Sequence, residues 1–364
     1  MKNSTKSYQK NGGKLKRDMR FHNNIYTVES VLKGHPDKIC DQISDGLLDI
    51  YLENDSESHV AIECLGTGNT LFVAGEVSSN TSVEIEPICQ KLYRHITGFS
   101  NLEVRNFLSK QSNQLVNAVN NGGAGDQGIM YGYACNTYYN YLPYGYWLVN
   151  TLAKRLDLLR EETSAFLPDG KLQAIISNDE VVQLTINVQH LVDTDMEMLC
   201  SLIKNRILFD VDKRKVVINP DHGFIRGGFD NDTGLTGRKL MVDTYGGLAP
   251  HGGGAFSGKD PSKVDRSAAY MCRFVAKNLV ANGLTKECCV SVSYNFGEEN
   301  PAMVCVTEDG KESEKMTKYV KQKFDFRPQA IIERLNLKKT KYLPTATYGH
   351  FTNPSYPWEV ITEL

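Results

Sequence analysis

The stretch Gly252-Gly253-Gly254-Ala255-Phe256-Ser257-Gly258-Lys259-Asp260-Pro261-Ser262-Lys263-Val264-Asp265-Arg266 governs the reading of the rest of the chain. Backbone this rich in glycine lets N–H groups come close to an anion, and Lys259 and Lys263 can neutralise it. The density of Gly, Lys and Asp favours binding of an anion together with a metal; the alternative is a hinge with its lysines in water. Residues 253–259 nearly match a phosphate-binding P-loop, but Asp260 stands where that motif needs Ser or Thr. The preceding Leu248-Ala249-Pro250-His251 is a poor buried strand, so that fold is excluded while its physics is kept.

Further clusters carry similar chemistry. In Gly34-His35-Pro36-Asp37-Lys38, Pro36 suits the first turn of a helix and sets His35 at its mouth. Backbone N–H groups and the helix dipole favour an anion there, and Asp37 could hold a cation. The competing reading makes His35 a simple cap and Asp37, Asp41, Asp45 and Asp49 a solvated stripe at four-residue spacing. Asp232-Thr233-Gly234-Leu235-Thr236-Gly237-Arg238-Lys239 sets an arginine and a lysine after a glycine turn, suited to phosphate oxygens or equally to a surface turn. Gly122-Gly123-Ala124-Gly125-Asp126-Gln127-Gly128 is a weaker signal, a backbone that could lie against a ligand.

The chain has 364 residues with 41% hydrophobic and 23% charged content, enough for a substantial core and two or three domains. Apolar runs are strand-sized and too short to cross a bilayer. The first twenty residues carry seven Lys or Arg and one Asp with no apolar centre, which reads as a solvated basic tail rather than a secretory signal. The remainder holds 34 basic and 42 acidic residues, a net of −8, which argues against nucleic-acid binding. Nine cysteines without metal-ligand spacing, Cys288 and Cys289 adjoining in a strand-like run, read as reduced thiols of a cytoplasmic protein.

Strand-like runs fall at 59–65, 70–77, 181–191, 215–220, 288–296 and 302–307. Helical periodicity falls at 36–53, with Ile39, Ile43, Leu47 and Ile50 on one face, and near 145–160, 194–207, 262–282 and 311–323. Paired strands followed by helices, three times over, predict an α+β protein of similar layered units rather than a doubly wound sheet.

Taken together these stretches resemble the signatures of the S-adenosylmethionine synthetase family. The segments 34–38, 123–128, 234–239, 243–247 and 251–269 look like family motifs in their usual order. Shorter matches fall at 60–63, 74–76, 324–328, 348–351 and 357–359. The resemblance spans about residues 22–360 and implies three similar α+β domains in a pseudo-threefold arrangement. The corresponding division is a basic tail at 1–21, an N-terminal domain at 22–113, a central domain at 122–226 and a C-terminal domain at 227–364. It further implies active sites between two subunits of a homodimer, often paired into a tetramer, and the joining of L-methionine to the adenosyl group of ATP.

Carried over position by position, the resemblance assigns His35 to the leaving triphosphate, Asp37 and Asp265 to magnesium (two ions per site) and Glu63 to potassium. Glu76, Gln111, Asp232 and Lys263 match methionine-contacting positions. Asp169, Lys171, Phe224, Arg238, Lys239, Ala255 and Lys259 match ATP positions, with Phe224 against adenine. The chemistry explains the inventory: a thioether sulfur attacks ribose C5′ without losing a proton, so no general base is needed. Positioning supplies roughly 7–11 kcal/mol, and each donor fixed near the departing charge roughly 3–4 kcal/mol.

Several positions depart from the family pattern. Lys33 stands where an acid is usual, which reverses a charge beside the expected metals. Gly223 replaces an arginine while Arg226 replaces an apolar residue, and Phe166-Leu167-Pro168-Asp169 lacks a tryptophan. The gating segment 111–122 begins Gln-Ser, continues Asn113-Gln114-Leu115-Val116 and is shortened. The alternatives to a synthetase are a triphosphate hydrolase that has lost methionine and a silent partner subunit. Glu76, Asp232 and Lys263 weigh against the first, and His35, Lys259 and Asp265 against the second.

Overall fold

The structure is a computed structural model that describes residues 24–112, 122–209, 211–221 and 223–364. Among these residues the strands form three four-stranded sheets. The first has the order β1 (Ile25–Val31), β6 (Gly170–Ser177), β7 (Glu180–Val188), β8 (Val216–Ile218). The second runs β4 (Glu103–Lys110), β3 (Thr70–Ser78), β2 (His59–Thr67), β9 (Gly234–Leu235). The third runs β12 (Lys311–Glu312), β11 (Met303–Glu308), β10 (Glu287–Tyr294), β5 (Gly128–Cys135). Each sheet therefore borrows a strand from a distant part of the chain, and these exchanges draw the sequence motifs toward one another.

A long helix packs on each sheet: α1 (Pro36–Asn54) on β2, α3 (Tyr144–Thr163) on β1 and β6, and α6 (Val264–Ala281) on β5 and β10. Helix α2 (Ile85–Thr97) lies along α1, where the missing side chain of Gly46 makes room for Leu92. The shorter helices α4 (Met196–Arg206), α5 (Leu240–Asp243), α7 (Glu314–Lys323) and α8 (Pro328–Arg334) complete the layers. Interior side chains of all three units join one apolar core, each buried Leu or Ile contributing roughly 1.5–3 kcal/mol. Strands predicted at 59–65 and 70–77 appear as β2 and β3, and the helices predicted at 36–53 and 262–282 appear as α1 and α6.

Helix α1 departs from expectation in one respect. Ile39, Ile43 and Leu47 are buried, but Ile50 is only half-buried, and the supposed solvated face is buried as well. The exposures of Asp37, Asp41, Asp45 and Asp49 are 1%, 0%, 0% and 8%, so the solvated-stripe reading is overturned. A buried carboxylate must find donors, and each of these does, as described below.

All nine cysteines are free; Cys288 and Cys289 are buried side by side in β10, and burial pushes the Cys289 thiol up to about 12. Among the described residues no helix is long and apolar enough to cross a membrane.

Candidate active site

The carboxylate stripe of α1 is the frame on which the candidate site is built. At the helix mouth Asp37 accepts from the backbone N–H of Leu235 at 3.0 Å, Arg238 Nε at 2.9 Å and Lys239 Nζ at 2.6 Å. One turn on, Asp41 accepts from Gly237 N at 2.8 Å and pairs with the buried Lys38, which also reaches Asp243. Asp45 accepts from Gly258 N at 2.8 Å and takes both ends of the Arg266 guanidinium at 2.7 and 2.8 Å. Asp49 accepts from Tyr342 N and Leu343 N at 2.7 and 3.0 Å. Four residues make one helical turn, so a single face of α1 staples three separate loops in order.

His35 caps this helix. Its Nδ1 accepts from Asp37 N at 3.2 Å, which leaves the proton of the neutral ring on Nε2. Burial, reinforced by the cations Lys239 and Lys171, pushes its pKa down to about 3, against the pull of Asp37. Burial alone would raise the Asp37 carboxyl, yet Lys239 and the Leu235 N–H hold it below the usual range. The result is an uncharged donor beside two cations, one of them Arg238, whose side chain is half exposed. Lys171 sits opposite Val31 in the β1–β6 ladder and pairs with Glu29 at 2.7 Å.

The ladder also sets Asp169 and Pro168 against the turn before α1: Leu32 N donates to Gly170 O at 3.0 Å and Gly34 N to Pro168 O at 3.2 Å. Asp169 is buried, which pushes its carboxyl up to about 6 although Gly228 N donates to it at 2.8 Å. Gln189 links this edge to the segment carrying half-buried Phe224, donating to Ile225 O at 3.2 Å. Asp232 lies beyond that segment, close enough to bear on the charge of Asp169, with its own carboxylate capping Thr233 N at 2.8 Å.

The glycine-rich stretch forms a second group. Lys259 Nζ pairs with Asp265 at 2.6 Å, and Lys263 Nζ with Asp260 at 2.9 Å. Gly254 lies so close to the Asp265 carboxylate that a side chain there would strike it. Gly258 has φ +78° and its Cα faces the Ile62 carbonyl, so both conformation and space require glycine. Ala61 in β2 pairs with Glu76 on one side and bridges Lys259 on the other. Glu63 faces Ala74 one position along the same open sheet face. Gln111 is 3% exposed, and neither its amide oxygen nor its nitrogen has a hydrogen-bond partner among the described residues. The two groups meet where Gly237 abuts Ala255 Cβ at 2.5 Å from its would-be side chain.

Not every expected neighbour comes together within one chain. Asp37 and Asp265 stand in separate groups, each neutralised by its own cations. Lys33 does not reverse a charge beside Asp37 as expected, because its ammonium pairs with Glu161 on α3. Gly123 packs against the Gly297 backbone rather than lying open. The altered gating residues 113–121 and the basic tail lie outside the described residues. Asp41, Asp45, Arg266 and Gln189 were not singled out as site-building residues. The signal for the first two was available: a carboxylate stripe flanked by Ile39, Cys40, Ile43, Leu47 and Leu48 leaves no wide polar face.

A site of clustered cations and carboxylates at the junction of three α+β units defines the class, and the chain belongs to the S-adenosylmethionine synthetase family. Family models for the N-terminal, central and C-terminal domains of S-adenosylmethionine synthetase match residues 23–122, 121–224 and 226–360. The chain is 41% identical to the S-adenosylmethionine synthase of Petrotoga mobilis, covering 93% of this chain and 97% of that protein. It is 40% identical to that of Treponema denticola, covering 92% and 95%. It is also similar to a solved structure described as an unusual S-adenosylmethionine synthetase from Campylobacter jejuni, with TM-score 0.86, 32% identity and coverage of 93% and 97%. The enzyme class that goes with this membership is methionine adenosyltransferase.

Proposed function

We propose that this chain joins L-methionine to the adenosyl group of ATP by in-line attack of the sulfur on ribose C5′, then cleaves the triphosphate to phosphate and pyrophosphate. His35, Arg238, Lys239 and Lys259 bind the triphosphate. His35 donates through Nε2 to a phosphate oxygen, while the three cations draw charge onto the leaving side. Asp169, Lys171, Phe224 and Ala255 hold the nucleoside, and Glu76, Gln111, Asp232 and Lys263 hold methionine. The buried Gln111 amide, which has no hydrogen-bond partner among the described residues, supports this, since an amino-acid ligand would supply one.

Magnesium fits the residues present. Asp37 and Asp265 offer hard oxygens whose present partners are cations that a triphosphate would draw to itself. Such an ion commonly takes one or two carboxylates and completes its shell with substrate phosphates and water, so no ready-made cage of three side chains is required. Two magnesium ions at Asp37 and Asp265 would neutralise charge on the departing triphosphate. Glu63, on an exposed sheet face, is the proposed potassium position.

The chain works as a homodimer, the unit that the family often pairs into tetramers, and in the cytoplasm. Support for the dimer comes from the open face of β2, β3 and β4, where Phe72 and Phe107 are 37% and 62% exposed and stack at 6.3 Å. Glu63 and Glu76 share that face. A second subunit covering it would complete the half of the site that Asp37 and Asp265 leave divided.

The observation that carries the reading is the gathering of Arg238 and Lys239 on Asp37 beside an uncharged His35. His35→Asn and Lys259→Met are each expected to lower kcat by about a hundredfold, the effect of losing one donor near developing charge. Unchanged turnover in both variants would remove the role assignment.

A further inference from the structure

We propose that Lys33 is a positioning residue for His35, held for that task by Asp157 and Glu161 of α3; the inference rests on the proposed role of His35. His35 N donates to Leu32 O at 3.1 Å, closing a turn whose two central residues are Lys33 and Gly34. Rotation about the backbone of either central residue would swing the His35 ring away from its place over α1. Gly34 resists this through its amide, bonded to Pro168 O, and through close packing against Pro168.

Lys33 is held at every polar group. Its N–H donates to Asp157 Oδ2 at 3.0 Å, its carbonyl accepts from Gln42 Nε2 at 2.7 Å, and its ammonium pairs with Glu161. The three anchors come from two helices, α1 and α3, so the turn is clamped between them. Asp157 and Glu161 are one helical turn apart on α3 and face the turn together.

The clamp is itself braced. Asp157 is 2% exposed, and its Oδ2 also accepts from the Tyr348 hydroxyl at 2.8 Å. Arg160 lies 3.6 Å from Asp157 Oδ1, so Lys33, Arg160, Asp157 and Glu161 form a group of balanced charge. Lys33 holds the Glu161 carboxyl below its ordinary range. Burial raises the Asp157 carboxyl above its ordinary range, and the Lys33 N–H, Tyr348 and Arg160 offset part of that rise. The positive charge of Lys33 is thereby spent on α3, and the phosphate side of the turn receives from Lys33 only the fixed direction of the His35 ring.

A positioning role and a stabilising role separate cleanly here. Glu161 is half exposed, so removing its pair should change stability little. A displacement of His35 by a fraction of an ångström should instead reduce turnover.

The test uses the full chain with ATP and methionine, measuring kcat, both KM values and the melting temperature. Lys33→Ala and Glu161→Gln should each lower kcat about tenfold with both KM values within about threefold, and with melting within about 2 °C of the parent. Lys33→Glu combined with Glu161→Lys should return kcat to within about threefold, because the pair is reversed rather than broken. In a His35→Asn background the pair variants should have no further effect. Single variants with parental kcat, a loss of kcat that tracks a fall in melting temperature, or no recovery in the swapped double would each overturn the inference. His35→Asn also separates the two layers. Its failure to slow the enzyme would overturn the role of His35 and this inference together. Slow His35→Asn with fast pair variants would overturn this inference alone.

Discussion

Asp45→Asn probes the frame of the site rather than its reactive groups. Asp45 and Arg266 are 0% exposed, and the bidentate pair is joined by Gly258 N on the same carboxylate. The asparagine keeps the volume and one acceptor but leaves the guanidinium without its counter-charge. Breaking such a pair costs about 3–5 kcal/mol. Arg266 retains the Lys259 carbonyl, the Thr345 hydroxyl and the Tyr342 ring 4.2 Å away, so the low end, about 3 kcal/mol, is expected. At about 1.3 °C per kcal/mol for a chain of 364 residues, melting should fall by about 4 °C. The Gly258 N–H, which donates to Asp45, faces a weaker acceptor at the same time, and Lys259, the next residue, is carried with it. Turnover should drop about tenfold beyond any loss of folded enzyme. Thermal melting and steady-state kinetics on the same preparation measure both effects. Melting within about 1 °C of the parent would refute the reasoning, since surface changes are of that size.

Burial pushes the Asp49 carboxyl from 3.8 up to about 6, against the Leu343 and Tyr342 N–H groups. Between those values the folded chain keeps a proton that the unfolded chain has lost, so the stability from Asp49 is present at low pH and lost as pH rises through about 6. The stability of the parent relative to Asp49→Asn should therefore fall by on the order of 2–3 kcal/mol from pH 4 to pH 7, and a constant difference would count against this. Gly254→Ala should push the Asp265 carboxylate off Lys259 and lower kcat by about tenfold with modest loss of stability, read from kinetics and melting together. Parental activity in that variant would show that Asp265 can move freely.

The spacing of Gly, Lys and Asp in the 252–266 stretch was enough to mark a tight, charged loop, and the structure pairs its lysines Lys259 and Lys263 with Asp265 and Asp260. The paired-strand pattern was equally legible: β2 and β3 are half-buried strands whose alternation survives in their burial. What could not be read was the exchange of strands between sheets. Gly234–Leu235 is too short to signal a strand, and only its pairing with Leu65 and Gly66 makes it one. The buried carboxylates of α1 were misjudged for a related reason. Their donors, Gly237, Gly258, Arg266 and Tyr342, lie between 196 and 293 residues away, so local sequence reports the charge and not its partner. Lys33 was misread likewise, since the carboxylates that hold it, Asp157 and Glu161, lie on α3, more than a hundred residues on.

The most direct measurement is mass spectrometry of the purified chain, alone, with ATP, methionine, magnesium and potassium. The cations on Asp37, the uncharged His35 and the family membership together predict S-adenosylmethionine with phosphate and pyrophosphate in equal amounts. Release of phosphate without the sulfonium product, or no reaction at all, would contradict the proposed transfer to methionine.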